Sequence, residues 1–252
     1  MRLRTVDWRT AMNIFDFQFM LEALPKILSS LPISLMITFC AVSSGYLIGL
    51  GLTFLKLSRF RLVRTIVSTI TTIIRGIPII VILFLVFFGL PELMALFGIN
   101  IKGWPSIVFA IIAIMIDVAA LSSEMFRCAY LSLDKGQIDA ASSIGMGKLM
   151  VFFRVILPQG LFVVLPNICN NLILQFQNTS LVYTIGIMDI MGKARLVDGN
   201  AFQAKSFEVY VGASIIYFVS CVLIERVFKF LERHFGKGFK VIGQTTPKKV
   251  RG

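Results

Sequence analysis

An ionisable side chain inside a long apolar run is costly unless it meets a partner or a water-filled cavity, so such residues mark where polar work is done. Asp117 stands amid Ile111–Leu121, where its carboxylate could meet a substrate ammonium or pair with a hydroxyl or amide on a neighbouring helix. Arg75 adjoins the break Gly76-Ile77-Pro78. Its guanidinium could orient a carboxylate or brace carbonyls that the proline leaves free. Asn167, Asn170, Asn171 and Gln175 fall at spacings of three, four and eight from Asn167, which places most of them on one helical face. A polar face at lipid depth calls for a cavity or a subunit seam. Thr179 and Ser180 follow as pathway hydroxyls or helix caps.

Nothing in the sequence assembles a catalytic set. The single histidine, His234, follows Arg233 near the end and reads as a solvated interface residue, and an enzyme would need an ordered nucleophile, base or clustered acids. Cys40, Cys128, Cys169 and Cys221 have no CxxC spacing and read as small packing residues, so no metal site is expected. No GxxxxGK[ST] phosphate loop occurs, so the chain is not expected to hydrolyse ATP or to bind a cofactor itself.

The elements that must hold these residues are helices in a bilayer. With 57% hydrophobic residues, the chain carries more apolar surface than a soluble domain of 252 residues could bury. Apolar blocks near 31–55, 66–90, 105–126, 151–176 and 208–231 each reach the roughly 20 residues that a helix needs to cross hydrocarbon. The expectation is therefore a single all-α integral membrane domain over 1–252, with five spans and termini on opposite sides. Residues 12–28 set Ile14, Phe17, Met20, Leu21 and Leu24 at helical spacing, which suits an interfacial helix or a lead-in to the first span.

The net charge of +12 lies at the ends of the apolar blocks rather than among exposed aromatics, so it reports topology and not nucleic-acid binding. Lys56, Arg59, Arg61 and Arg64 in loop one, Lys135 and Lys148 in loop three, and the basic tail 232–252 assign those segments to the cytoplasm. The N-terminus is then outside, although Arg2, Arg4 and Arg9 pull the other way.

Residues 127–154 are too polar to span, yet Ile138, Ala141 and Ile144 keep a helical stripe that reads as a short cytoplasmic helix. Asp139-Ala140-Ala141, three residues, Gly145, nine residues, then Val155-Ile156-Leu157-Pro158 resembles the EAA loop of permease subunits in ATP-binding-cassette importers. Asp139 replaces the usual Glu and Val155 the usual Ile, with the spacing intact. Arg75-Gly76-Ile77-Pro78, Phe87-Phe88-Gly89-Leu90-Pro91, Glu124-x-Phe126-Arg127 and Asn178-Thr179-Ser180-Leu181 extend the resemblance, over about residues 30–235, to the polar amino acid branch. Met188–Ala194 and Phe207–Tyr210 resemble permeases for cystine or related sulfur amino acids. Gln177 and Leu121 depart from the branch, which usually has Lys and Tyr there.

The resemblance implies a type I importer permease in the cytoplasmic (inner) membrane, with a coupling helix between spans three and four. Asp139, Ala140, Ala141, Gly145, Leu157 and Pro158 would couple to the ATPase; Arg75, Asp117, Asn167, Asn171, Gln175, Thr179 and Ser180 would line the substrate pathway. Implied partners are a second permease subunit, two separate ATPases carrying ATP and Mg, and an extracytoplasmic solute-binding protein. A secondary transporter would show paired halves with matching broken helices, which this loop pattern does not divide into, and a channel would not need the EAA loop.

Overall fold

The computed structural model describes residues 15–235, and all regular structure among them is helical. In order the helices are α1 (Phe17–Leu28), α2 (Leu31–Lys56), α3 (Arg61–Gly76), α4 (Ile79–Ala95), α5 (Ser106–Ser132), α6 (Lys135–Ser143), α7 (Lys148–Ile185), α8 (Ile190–Asn200) and α9 (Ser206–Phe235). Helices α2, α5, α7 and α9 are each long and apolar enough to cross a membrane, and α3 with α4 makes a fifth, bent candidate.

The most extensive packing joins α2 to α5. Along α2, Ser34, Thr38, Ala41, Gly45, Gly49 and Thr53 form a buried small-residue stripe, and α5 answers with Ala110, Ala113, Ala119 and Ser122. Small faces let two backbones approach closely, which is how helices associate where lipid removes the hydrophobic drive. A Cβ on Gly45 would stand 2.6 Å from Val118 Cβ, and one on Gly49 would collide with Ser122 Oγ. Thr53 Oγ1 also lies 3.1 Å from the Ser123 carbonyl, adding a hydroxyl between the two helices.

Two leucine–proline steps shape the remaining spans. Pro91 and Pro158 lack an N–H and crowd the carbonyls of Phe87 and Arg154 four residues back. Both carbonyls fall inside π-turns, Leu85–Gly89 and Phe152–Ile156, which widen the helix to take the ring without ending it. Pro78 acts more severely: Ile77 before it is extended at φ −96° and ψ 129°, and α3 meets α4 at 104°. The expected second span near 66–90 is thus a broken one. Nor does the fourth keep its expected limits of 151–176, since α7 starts at Lys148 and tightens into a 3-10 turn over Thr179–Ile185.

Helix α1 packs one face into the bundle. Met20, Ala23 and Ile27 are buried, and the latter two join Ile190, Ala194, Val209, Ala213 and Phe176 in a core shared by α1, α7, α8 and α9. Phe17 and Leu21 of the expected stripe stay exposed, and Ile14 lies outside the described residues. Asp16 caps α1 by accepting from the Phe19 N–H at 3.0 Å, and its own N–H donates to Glu208 Oε1 at 2.9 Å. The start of α1 therefore sits beside the start of α9, whose 30 residues rise about 45 Å and carry the chain to the opposite side. Helix α9 continues to Phe235, and the basic tail beyond it lies outside the described residues.

Candidate functional site

Helix α6 is built to be presented. Asp134 caps it, accepting from the Gly136 N–H at 2.9 Å, and Gly145 ends it at φ +83°. There the Met146 N–H bonds the Ala141 carbonyl at 3.2 Å and the Gly145 N–H bonds that of Ser142 at 3.0 Å, a paired closure that requires a left-handed residue. Asp139 and Ala140 are exposed, Ala141 is buried toward the bundle, and Ile144 is 79% exposed at the tip. Leu157 and Pro158 are not on this helix; they open the regular part of α7 just beyond the π-turn. Gln159 Nε2 donates to Gln137 Oε1 at 2.6 Å and fastens α6 to α7, a contact between residues 22 positions apart that no local pattern marks.

Behind α6, Glu124 of α5 gathers two cations. Lys56, only 3% exposed, ends α2 and reaches Glu124 Oε2 at 3.3 Å and Ser123 Oγ at 2.9 Å. Arg127 pairs with the same carboxylate from one turn below, its Nε 3.1 Å from both oxygens. A lysine buried at a helix C-terminus favours the dipole there, and Glu124 supplies the counter-charge. In the sequence Lys56 is marked only as a topological charge; its partner Glu124 lies 68 positions away on another helix.

The intramembrane polar residues divide into two groups. Asp117 is buried and accepts from Gln175 Nε2 at 2.9 Å, while Gln175 Oε1 accepts from Asn178 Nδ2 at 3.1 Å, so α5 and α7 are tied at depth. Thr179 is fully buried with its hydroxyl on the Phe176 carbonyl at 2.7 Å. Asn171 Oδ1 lies 3.2 Å from the Tyr46 hydroxyl, a link from α7 to α2. By contrast, Asn167, Asn170 and Gln177 are exposed along one outer strip of α7, and Ser180 is half-buried. Arg75 is exposed at the end of α3, with no hydrogen bond or ion pair among the described residues. Helix α3 is sharply two-sided: Arg61, Thr65, Thr69 and Thr72 form one exposed strip, and Leu62, Ile66, Ile70 and Ile73 another.

The face bearing α8 holds three further acids. Asp189 caps α8 through the Gly192 N–H at 2.8 Å and is fully buried, so desolvation pushes its carboxyl above the usual range against the pull of that hydrogen bond. Asp16, in contrast, is held below it by the Phe19 N–H and then by Lys205, 3.0 Å away. Asp198 accepts from Ser206 Oγ at 2.7 Å and closes the turn between α8 and α9. Among the described residues no group of histidine, cysteine or carboxylate side chains could hold a metal ion.

The site thus belongs to a helical membrane bundle with a short exposed helix between its third and fourth spans. The chain belongs to the family of binding-protein-dependent transport system inner membrane components, whose model matches residues 45–237. It is 33% identical over 223 residues to the L-cystine transport system permease protein TcyL of Bacillus subtilis, covering 88% of this chain and 92% of that one. It is 30% identical over 230 residues to the probable amino-acid permease protein YxeN of the same organism, covering 91% of this chain and 100% of that one. Among solved structures, an amino acid ABC transporter crystallised with histidines superposes with a TM-score of 0.75 at 30% identity, over 87% of this chain and 98% of that one. An inward-facing MetNI methionine ABC transporter, at 20% identity and a TM-score of 0.68 over 83% of this chain and 95% of that one, shares the fold.

Proposed function

We propose that this chain is a membrane-spanning permease subunit of an ATP-binding-cassette importer for a polar amino acid, with cystine the first substrate to try. The observation that carries the reading is α6, a capped helix of nine residues whose Asp139 and Ala140 face outward and whose end is fixed by Gly145. Two ATPases, holding ATP and Mg, would grip this helix on each of two permease subunits. A solute-binding protein on the opposite, extracytoplasmic face would deliver the amino acid. The cytoplasmic side is the one carrying α6, Lys56, Lys148 and the basic tail, with the N-terminus outside.

Closure of the ATPases would move α6, and the Gln137–Gln159 bond would pass that movement to the first turns of α7. The tightly packed α2–α5 pair would rock as one body, opening a midplane path outward and then inward. The polar strips left exposed, Asn167, Asn170 and Gln177 on α7 and Thr65, Thr69, Thr72 and Arg75 on α3, are the residues we assign to that path. Asp117 and Gln175 brace it from behind, with Asn171, Thr179 and Ser180 along the same helix.

The test is ATP hydrolysis and uptake in liposomes holding this chain, its ATPase and the binding protein, with cystine and other polar amino acids outside. Uptake that depends on ATP and is lost in Gly145→Arg supports the reading. Uptake that persists without the ATPase replaces it with a secondary transporter or channel.

A further inference from the structure

Between the ends of α2 and α5, the inner side of α6 and the first half of α7 runs a groove of about 680 Å³. Leu50, Phe126, Ile138 and Phe152 contribute one wall residue from each of the four helices, and the lining is apolar nearly throughout. Leu47, Phe54 and Leu161 form its lip and remain exposed, and Phe39, nearer the start of α2, is exposed as well. This exposed apolar lip lies on helices long and apolar enough to cross a membrane, where hydrocarbon can reach it. Lys148 is the one charged residue among those lining it, and it is exposed, with no ion pair or hydrogen bond among the described residues. It stands at the start of α7, the end of the groove nearest the aqueous boundary.

We propose that this groove binds an anionic phospholipid of the surrounding bilayer, one acyl chain lying along the apolar walls and the phosphate meeting Lys148. The chain chemistry fits the walls, because apolar surface open to a membrane is filled by acyl chains without any loss of hydration. The headgroup chemistry fits the rim, where one cation at the membrane surface favours an anionic lipid. Ile138 and Ser142 of α6 line the same groove, so an occupant wedges α6 against α7 and ties the mobility of α6 to the lipid bound. That last consequence rests on the coupling role proposed for α6; the binding does not.

The experiment places a fluorescent probe in the groove of the whole complex, in phosphatidylcholine nanodiscs containing a small fraction of phosphatidylglycerol with brominated, quenching acyl chains. Phe54→Trp is the probe and Phe39→Trp, on the open flank of α2, the control; the signal of each is its difference from the unsubstituted complex. The expected result is about fivefold more brominated phosphatidylglycerol at the first site than at the second, the factor for one lysine beside an anionic surface. Lys148→Gln should bring the ratio to one. So should Gly160→Phe, which fills the groove from a position where an added side chain meets nothing within 4 Å. Equal quenching at both probes overturns the proposal. So does an excess that survives Gly160→Phe, which would put the lipid on the surface outside the groove. A third outcome overturns it as well: quenching at the Phe54→Trp probe that stays below the control in fully brominated bilayers means protein covers the groove.

Discussion

Gln175 and Asp117 meet across α7 and α5 at 2.9 Å, both buried, and Gln175 holds Asn178 with its other end. The carboxylate that stood out most in the sequence is thereby engaged by an amide. Asp117→Asn, which keeps a hydrogen bond to Gln175 while removing the charge, should retain most transport. Asp117→Leu should lower the stability of the complex by about 0.5–2 kcal/mol, the range for interhelical hydrogen bonds in membranes. Uptake assays and thermal unfolding of the two variants check this; uptake abolished in Asp117→Asn with unfolding unchanged would make Asp117 a substrate contact instead.

The α2–α5 seam leaves no room for growth at Gly49. Gly49→Val should cost about 1–3 kcal/mol and reduce the yield of folded protein, because the added carbons run into Ser122 and the Ala119 carbonyl. Gly51, two residues on, faces open space, so Gly51→Ala should be neutral or stabilise by up to about 1 kcal/mol. Size-exclusion profiles and melting curves separate the two.

Lys56 depends on Glu124. Glu124→Gln strips the counter-charge from a buried ammonium and should destabilise by several kcal/mol, about 3–5 at the upper limit for a broken buried pair. Adding Lys56→Met removes the orphan and should restore much of the loss. A double-mutant cycle on thermal stability reads the coupling, and strict additivity of the two losses would refute the pairing.

Gly145 closes α6 with a left-handed backbone. Gly145→Ala should strain that turn by about 1–2 kcal/mol, and Gly145→Asn by less, since Asn tolerates the conformation. The predicted order of transport-coupled ATP turnover is wild type, Asn, then Ala. A reversed order of Asn and Ala would show that side-chain bulk, not backbone conformation, decides.

Asp189 and Asp16 give opposite pH signs. Burial raises Asp189, so the folded state holds its proton to higher pH than the unfolded chain does, and this site loses stability as pH rises above about 4. Asp189→Asn keeps an acceptor for the α8 cap and should flatten that loss. Asp16 is lowered, so its contribution is full above about pH 4 and disappears as pH falls through the depressed value, weakening the cap of α1 and its tie to Lys205. Thermal unfolding of wild type and each variant across pH 3–8 measures both, and identical pH profiles for Asp189→Asn and wild type would exclude the first.

Composition, the five apolar blocks and the Asp139–Pro158 spacing determined by themselves that the chain is an all-helical membrane permease subunit with a short polar helix between its third and fourth spans, because bilayer thickness and a fixed loop spacing leave marks in one dimension. Gly145 is marked in the sequence by its place in that spacing, and its left-handed turn is a local requirement of the backbone. Tertiary structure alone decided which polar residues work together. Asp117 and Gln175 are 58 positions apart and Lys56 and Glu124 are 68 apart, and no spacing within a helix can report a partner on another. It also decided that α1 joins the bundle, which depends on which face finds α9, and that the break at Gly76-Ile77-Pro78 turns the chain through 104°.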